Sequence, residues 1–228
     1  MPERATFVDQ TCYRLIPSKF PPIALFDDVA DAEDFEDLFA VQAMTNPRLK
    51  EQVGNLDAVP GDDRVYGIPG AGYVMAAFTH INPDGSRFSN GDFGIYYAAA
   101  LLQDAIEETR YHRAKFMGYT NEPAQEIDMR CLVATFTAEL TDIRATQYQG
   151  TPLYHPTDYR HGQALGNACK REGGDGITYL SVRGSGECYA LMKPRLITHC
   201  MQASHFGYIW DGEAIVTVYK KELDFQTP

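Results

Sequence analysis

A turn, a short strand and a helix follow one another directly between Asn82 and Met117, and this order constrains the fold more than any other feature of the chain. Asn82-Pro83-Asp84-Gly85 reads as a turn, because proline presets φ and glycine accepts a positive one. Ile95 to Tyr97 is expected to be a strand, and Leu101 to Met117 a helix that stops at Gly118. Leu101, Leu102, Ala105, Thr109, His112 and Phe116 fall near one face of that helix. Its charges run from acidic (Asp104, Glu107) to basic (Arg110, Arg113, Lys115), as the helix dipole prefers. Arg87 on the turn, Tyr97 on the strand and Glu108 on the helix are thereby brought together: a cation, an aromatic ring and a carboxylate.

Composition bounds what such a site can serve. The 228 residues suit a single domain, 1–228, with an N-terminal helical elaboration (1–72) on a catalytic core (73–228). The net charge of -11 argues against a nucleic-acid surface, although a few arginines can still set a local field for an anionic small ligand. Asp27, Asp28, Asp31, Glu33, Asp34, Glu36 and Asp37 crowd one segment, either as a solvated helix start or as a face for a basic partner. Cys12, Cys131, Cys169, Cys188 and Cys200 have neither zinc nor redox-pair spacing and read as reduced, buried thiols. His199-Cys200 with His205 is too loose a cluster to imply a metal. With no leader at Met1 and no run of apolar residues long enough to span a bilayer, the expected location is the cytoplasm, with no membrane partner.

Elsewhere, Cys12 to Ile16 is expected to be a strand closed by Pro17 and Pro21-Pro22. A helix capped by Asp28 or Asp31 should run to about Met44, and a second should begin at Asn46-Pro47. Val59 to Gly72 reads as loop, and Tyr73 to His80 fits strand or helix. Further strands are expected at Cys131–Leu140, Ile177–Leu180, Cys188–Met192, Leu196–His199, Phe206–Trp210 and Ala214–Tyr219, with a helix from Thr157 or Asp158 to Arg171. The fold class is α+β: a split, mostly antiparallel β core with surrounding helices.

Four blocks, in order, resemble the RES-domain family. They are Thr45-Asn46-Pro47-Arg48; Ala77-Phe78-Thr79-His80 with Ser86-Arg87-Phe88; Tyr97 with Ala105 and Glu108; and Ala164-Leu165-Gly166 with Gly174-Asp175-Gly176-Ile177 and Ser181-Val182-Arg183. The family's naming arginine, glutamate and serine match Arg87, Glu108 and Ser181. Two departures stand out: many members have Gly-Arg-Trp in place of Ser86-Arg87-Phe88, and proline in place of Leu180. The resemblance implies an ADP-ribosyltransferase-like fold and the toxin half of a bacterial type II toxin–antitoxin pair. It implies NAD as substrate, no prosthetic group, and an Xre-like helix-turn-helix antitoxin as partner. NAD glycohydrolase, NAD phosphorylase (phosphate as second substrate) and protein ADP-ribosyltransferase activities all fall within it, and a homodimer is compatible with it. A non-catalytic module that only binds antitoxin is the alternative of another class, disfavoured by the joint presence of Arg87, Tyr97, Glu108 and Ser181.

The residue types suit that chemistry. An arginine fork meets pyrophosphate oxygens, and Arg87 is assigned this role with Arg183 or Arg14 assisting. Nicotinamide leaves as a neutral molecule, so the group in need of stabilisation is an oxocarbenium-like ribose, for which Glu108 is the candidate. Tyr97 offers a ring face and a hydroxyl, Ser181 a hydrogen bond rather than a nucleophile, and His80 a place in the lining. His112, one turn beyond Glu108, either orients that carboxylate or is a half-buried structural histidine.

Overall fold

A computed structural model describes residues 2–19, 24–46 and 48–222. Pro21-Pro22 and Pro47, expected to close the first strand and open the second helix, lie outside the described residues. The longest strands are β1 (Arg4–Pro17) and β3 (Gln125–Asp142), paired antiparallel from Arg4↔Thr141 to Pro17↔Met129. Between Phe7 and Gln10 the register shifts at a bulge, where Asp9 takes a φ of 48° and its N–H donates to the Thr137 hydroxyl at 3.1 Å. The remaining strands are β2 (Tyr96–Ala99), β4 (Gly176–Leu180), β5 (Glu187–Leu191), β6 (Ile197–Trp210) and β7 (Ile215–Lys221).

The strand order is β1-β2-β5-β4-β3-β6-β7, and the additional β1–β3 pairing joins the first five into a ring. β1 pairs with one edge of β3 from Met129 to Thr141. The other edge is divided: β6 pairs with residues 125–136, and β4 joins in parallel only at Thr141 and Asp142. That division is the split in an otherwise antiparallel sheet, so the α+β expectation holds.

β3 shows why the sheet sits centrally. Leu132, Ala134, Phe136, Ala138 and Leu140 enter one apolar cluster, while Met129 and Cys131 enter another on the opposite face. Alternation of side chains along a strand sends the two sets to opposite sides. α1 (Ala32–Ala43) and α3 (Ala71–Thr79) cover the first cluster through Phe35, Val74, Met75 and Phe78. α2 (Leu49–Val53) adds Leu49 and Val53. α4 (Leu102–Thr120) and α5 (Arg160–Arg171) lie against the second.

Several expectations shift. The N-terminal stretch is more than a helical addition, because β1 is an integral strand. The Tyr73–His80 run resolves as helix, and the Val59–Gly72 segment before it contains a 3-10 turn at Gly61–Asp63. Asp27 accepts from the N–H groups of Gly70 and Gly72, both at 2.8 Å, so this member of the acidic run secures the start of α3. Asp31 caps α1 through the N–H groups of Glu33 and Asp34. The two runs Leu196–His199 and Phe206–Trp210 are one irregular strand, β6. α4 passes through Gly118 and ends where Asn121 adopts the left-handed conformation. All five cysteines are free and buried. No helix among the described residues is long and apolar enough to cross a membrane.

Candidate functional site

The Arg87 turn is seated on α5. A Cβ on Gly162 would stand 2.4 Å from the Arg87 carbonyl oxygen, and one on Gly166 would stand 1.9 Å from that of Phe88. These two glycines let the turn's backbone lie directly against the helix. Gln163 between them donates to the carbonyls of Ser86 (3.1 Å) and Ser89 (3.4 Å). Phe88 is fully buried, edge-on to Tyr179 at 5.0 Å, and anchors the turn. Arg87 Nη1 donates to the carbonyls of Leu153 (3.3 Å) and His155 (3.2 Å), and its guanidinium lies 4.8 Å from the Tyr159 ring centre.

The Tyr97 hydroxyl is occupied by this turn. It accepts from Phe88 N–H at 3.0 Å and shares a hydrogen bond of 2.8 Å with Ser86 Oγ, while burial pushes its pKa up to about 12. Ser86 therefore gives the turn a side-chain tie that a glycine would lack. Tyr96 points to the other side of β2 and is fully buried under the guanidinium of Arg14, 4.9 Å away. Arg14 Nη1 donates to the Tyr97 carbonyl at 2.8 Å.

Glu108 stands on α4 with its carboxylate fixed. Oε1 accepts from Ser181 Oγ at 2.6 Å and from Val182 N–H at 3.2 Å; Oε2 is 3.9 Å from His112 Nε2. Ser181 Oγ in turn accepts from Arg183 N–H (3.1 Å) and Gly184 N–H (2.7 Å), so its proton is committed to Glu108 and it serves as a clamp rather than a nucleophile. Burial lowers the pKa of His112. Glu108 opposes that shift, while the charges of Arg183 and Arg87 add to it. Glu107 turns away and pairs with Arg110 at 3.4 Å.

Two contributors escape sequence reasoning. Asp104 reads as a helix-dipole charge but is buried, and its Oδ1 accepts from Ser185 N–H (3.0 Å) and Gly186 N–H (2.9 Å). Cβ atoms on Gly184 and Gly186 would lie within 2.3 Å and 2.1 Å of its carboxylate oxygens, so this glycine-rich turn and Asp104 require each other. Tyr154 donates to the Ile143 carbonyl at 2.8 Å and accepts from Leu180 N–H at 3.0 Å. A proline in place of Leu180 would have no N–H to give; here a hydrogen bond secures the approach to Ser181. The residues flanking Tyr154 supply the carbonyls that hold Arg87, so one phenol links the two halves of the site.

Arg87, Tyr97 and Glu108 line a single cavity of about 800 Å³, together with Arg14, Ser86 and His112. The stripe Ala105, Thr109, His112, Phe116 is cavity wall as much as core: Ala105 is buried, but Phe116 is 47% exposed. Arg14, Arg87, Arg113, Lys115 and Arg160 contribute positive charge against Asp84, Glu108 and Asp158, and Asp158 is paired to Arg160 at 2.6 Å. The cavity is thus locally cationic on an acidic protein. Ser181 and Arg183 stand behind the wall; Arg183 donates to the Pro156 carbonyl and lies over the Tyr111 ring at 3.5 Å. His80 is not brought to the cavity: it ends α3, its Nε2 3.1 Å from the Glu51 carbonyl oxygen. No group of three His, Cys, Asp or Glu side chains among the described residues could hold a metal.

Comparison with known proteins places these residues in a family. The RES domain model matches residues 64–211, a span that contains Arg87, Tyr97, Glu108 and Ser181 and leaves out β1 with Arg14. The uncharacterized protein y4oC of Sinorhizobium fredii (strain NBRC 101917 / NGR234) is 30% identical over 210 residues, covering 91% of this chain and 86% of that protein. Among solved structures, the crystal structure of the M. tuberculosis MbcT–MbcA toxin–antitoxin complex overlaps with a TM-score of 0.38 at 15% identity, over 53% of this chain and 73% of that one. With the family model matching residues 64–211, well over half of its length, this chain belongs to the RES domain family.

Proposed function

We propose that the chain cleaves the nicotinamide–ribose bond of NAD, with water or phosphate as acceptor, and acts as the toxin of a toxin–antitoxin pair. The supporting observation is the convergence of Arg87, Tyr97 and a clamped Glu108 on one cavity. Its volume falls within the range of small-ligand sites. Arg87 and Arg14 would receive the pyrophosphate. The Tyr97 ring would border the nicotinamide ribose, its hydroxyl holding the Arg87 turn in place. As nicotinamide departs with the bonding electron pair, positive charge spreads over the ribose, and the carboxylate of Glu108 stabilises it. Two donors from the 181–182 turn hold that carboxylate before substrate arrives, so little reorganisation is needed at the moment of reaction. The antitoxin partner, cytoplasmic location and Xre type follow the family resemblance and belong to the same proposal.

The direct test is nicotinamide release from NAD by purified protein without antitoxin, with and without phosphate, and with the ADP-ribose product weighed by mass spectrometry. ADP-ribose-1-phosphate would identify phosphorolysis; absence of nicotinamide under both conditions would refute the reading. Arg87→Ala is expected to raise KM for NAD by about tenfold or more, the worth of a charge-assisted hydrogen bond, with a smaller change in kcat. Tyr154→Phe keeps the ring and removes both hydroxyl bonds. Steady-state kinetics should then show a higher KM and a lower kcat together, each by roughly three- to tenfold, because the seat of Arg87 and the approach to Ser181 loosen at once.

A further inference from the structure

We infer that the outer half of the cavity is a subsite for the adenine ring of the dinucleotide, formed by Phe116 and Tyr119. The inference rests on the reading of the inner half as the nicotinamide–ribose site.

α4 walls the cavity along one face, through Ala105, Glu108, His112, Phe116 and Tyr119. With a rise of about 1.5 Å per residue, Phe116 stands about 12 Å beyond Glu108 along the helix axis and Tyr119 about 16 Å. That separation suits the two glycosidic ends of an extended dinucleotide. Arg113 and Lys115, which fall between Glu108 and Phe116 on α4, line the cavity together with Arg87 and supply positive charge there. Carboxylate, cations and aromatics therefore follow one another along the helix in the order ribose, pyrophosphate and base would need.

The aromatics are otherwise poorly placed for a folded protein. Phe116 is 47% exposed and Tyr119 77% exposed, one helical turn apart on the lip of the cavity. Arg113 lies over the Phe116 ring at 5.2 Å, which steadies the ring and adds a planar cation beside it. Adenine has a π-face that stacks on such rings, and loss of one stacked base contact costs about ten- to a hundredfold in affinity.

The experiment uses the full chain and the variants Phe116→Ala, Tyr119→Ala and the double variant. Calorimetry measures AMP binding, and kinetics compare NAD with nicotinamide mononucleotide, which lacks the adenosine half. The expected result is AMP binding at least about tenfold weaker in the double variant and a similar fall in the ratio of kcat/KM for NAD over the mononucleotide. Unchanged AMP affinity would overturn the subsite, including the outcome in which the variants lose only antitoxin binding. An equal loss on both substrates would overturn it as well, pointing to a distorted inner site. A wild-type protein that binds AMP through these aromatics yet releases no nicotinamide would sink the cleavage reading and leave the subsite standing.

Discussion

Glu108→Gln is expected to lower kcat for NAD cleavage by about a hundredfold or more, the loss seen when one preorganised electrostatic contact to a transition state is removed. The variant is nearly isosteric. Its amide oxygen can still accept from Ser181 Oγ and Val182 N–H, the two bonds that tie Glu108 to the β4–β5 turn. The fold should therefore survive, with a thermal midpoint close to wild type, and KM should change little because the proposed pyrophosphate contacts, Arg87 and Arg14, lie elsewhere. On the proposed mechanism, what the variant lacks is the full negative charge that would oppose the growing positive charge on the ribose. Steady-state kinetics alongside a thermal melt check both halves of the expectation. Wild-type turnover in a well-folded variant would remove Glu108 from the chemistry.

The second large effect is structural. Gly166→Ala places a Cβ 1.9 Å from the Phe88 carbonyl oxygen, a contact between backbone and backbone-fixed atoms that no side-chain rotation relieves. Either α5 or the Arg87–Phe88 turn must move. The expected cost is about 1–3 kcal/mol or more, which in a domain of this size lowers Tm by roughly 2–4 °C per kcal/mol. Because the same shift displaces Arg87, KM for NAD should rise with it. Gly118→Ala is the control: it lies inside α4 with open space around its Cβ, and it should stabilise by about 0.5–1 kcal/mol. Paired melts that gave both glycines the same sign would refute the close-approach argument.

Much of the site was legible because it is local. Arg87, Tyr97 and Glu108 are carried by a turn, a strand and a helix that adjoin in sequence, so their spacing already forces them together. Ser181 entered through family resemblance, not through any spacing argument. Asp104 and Tyr154 stayed hidden, since a carboxylate in a first helical turn and a tyrosine in a loop look alike whether they face solvent or a distant backbone. The α4 stripe shows a related limit: periodicity reports which residues share a face, and does not distinguish a face turned to the core from one turned to a cavity. β1 exceeded its apolar signal because its long pairing with β3 supplies backbone hydrogen bonds to polar and apolar residues alike.

By itself the sequence determined most of the alternation of strands and helices, the family, and the three candidate groups of one continuous segment that line the cavity, because these depend on short-range geometry and residue type. Only the tertiary structure decided that Glu108 is clamped by the turn after β4, that α5 glycines seat the Arg87 turn, and that His80 lies elsewhere. Those outcomes depend on which distant backbone groups come within hydrogen-bonding reach, and that is set by the closure of β1 and β3 around the shorter strands.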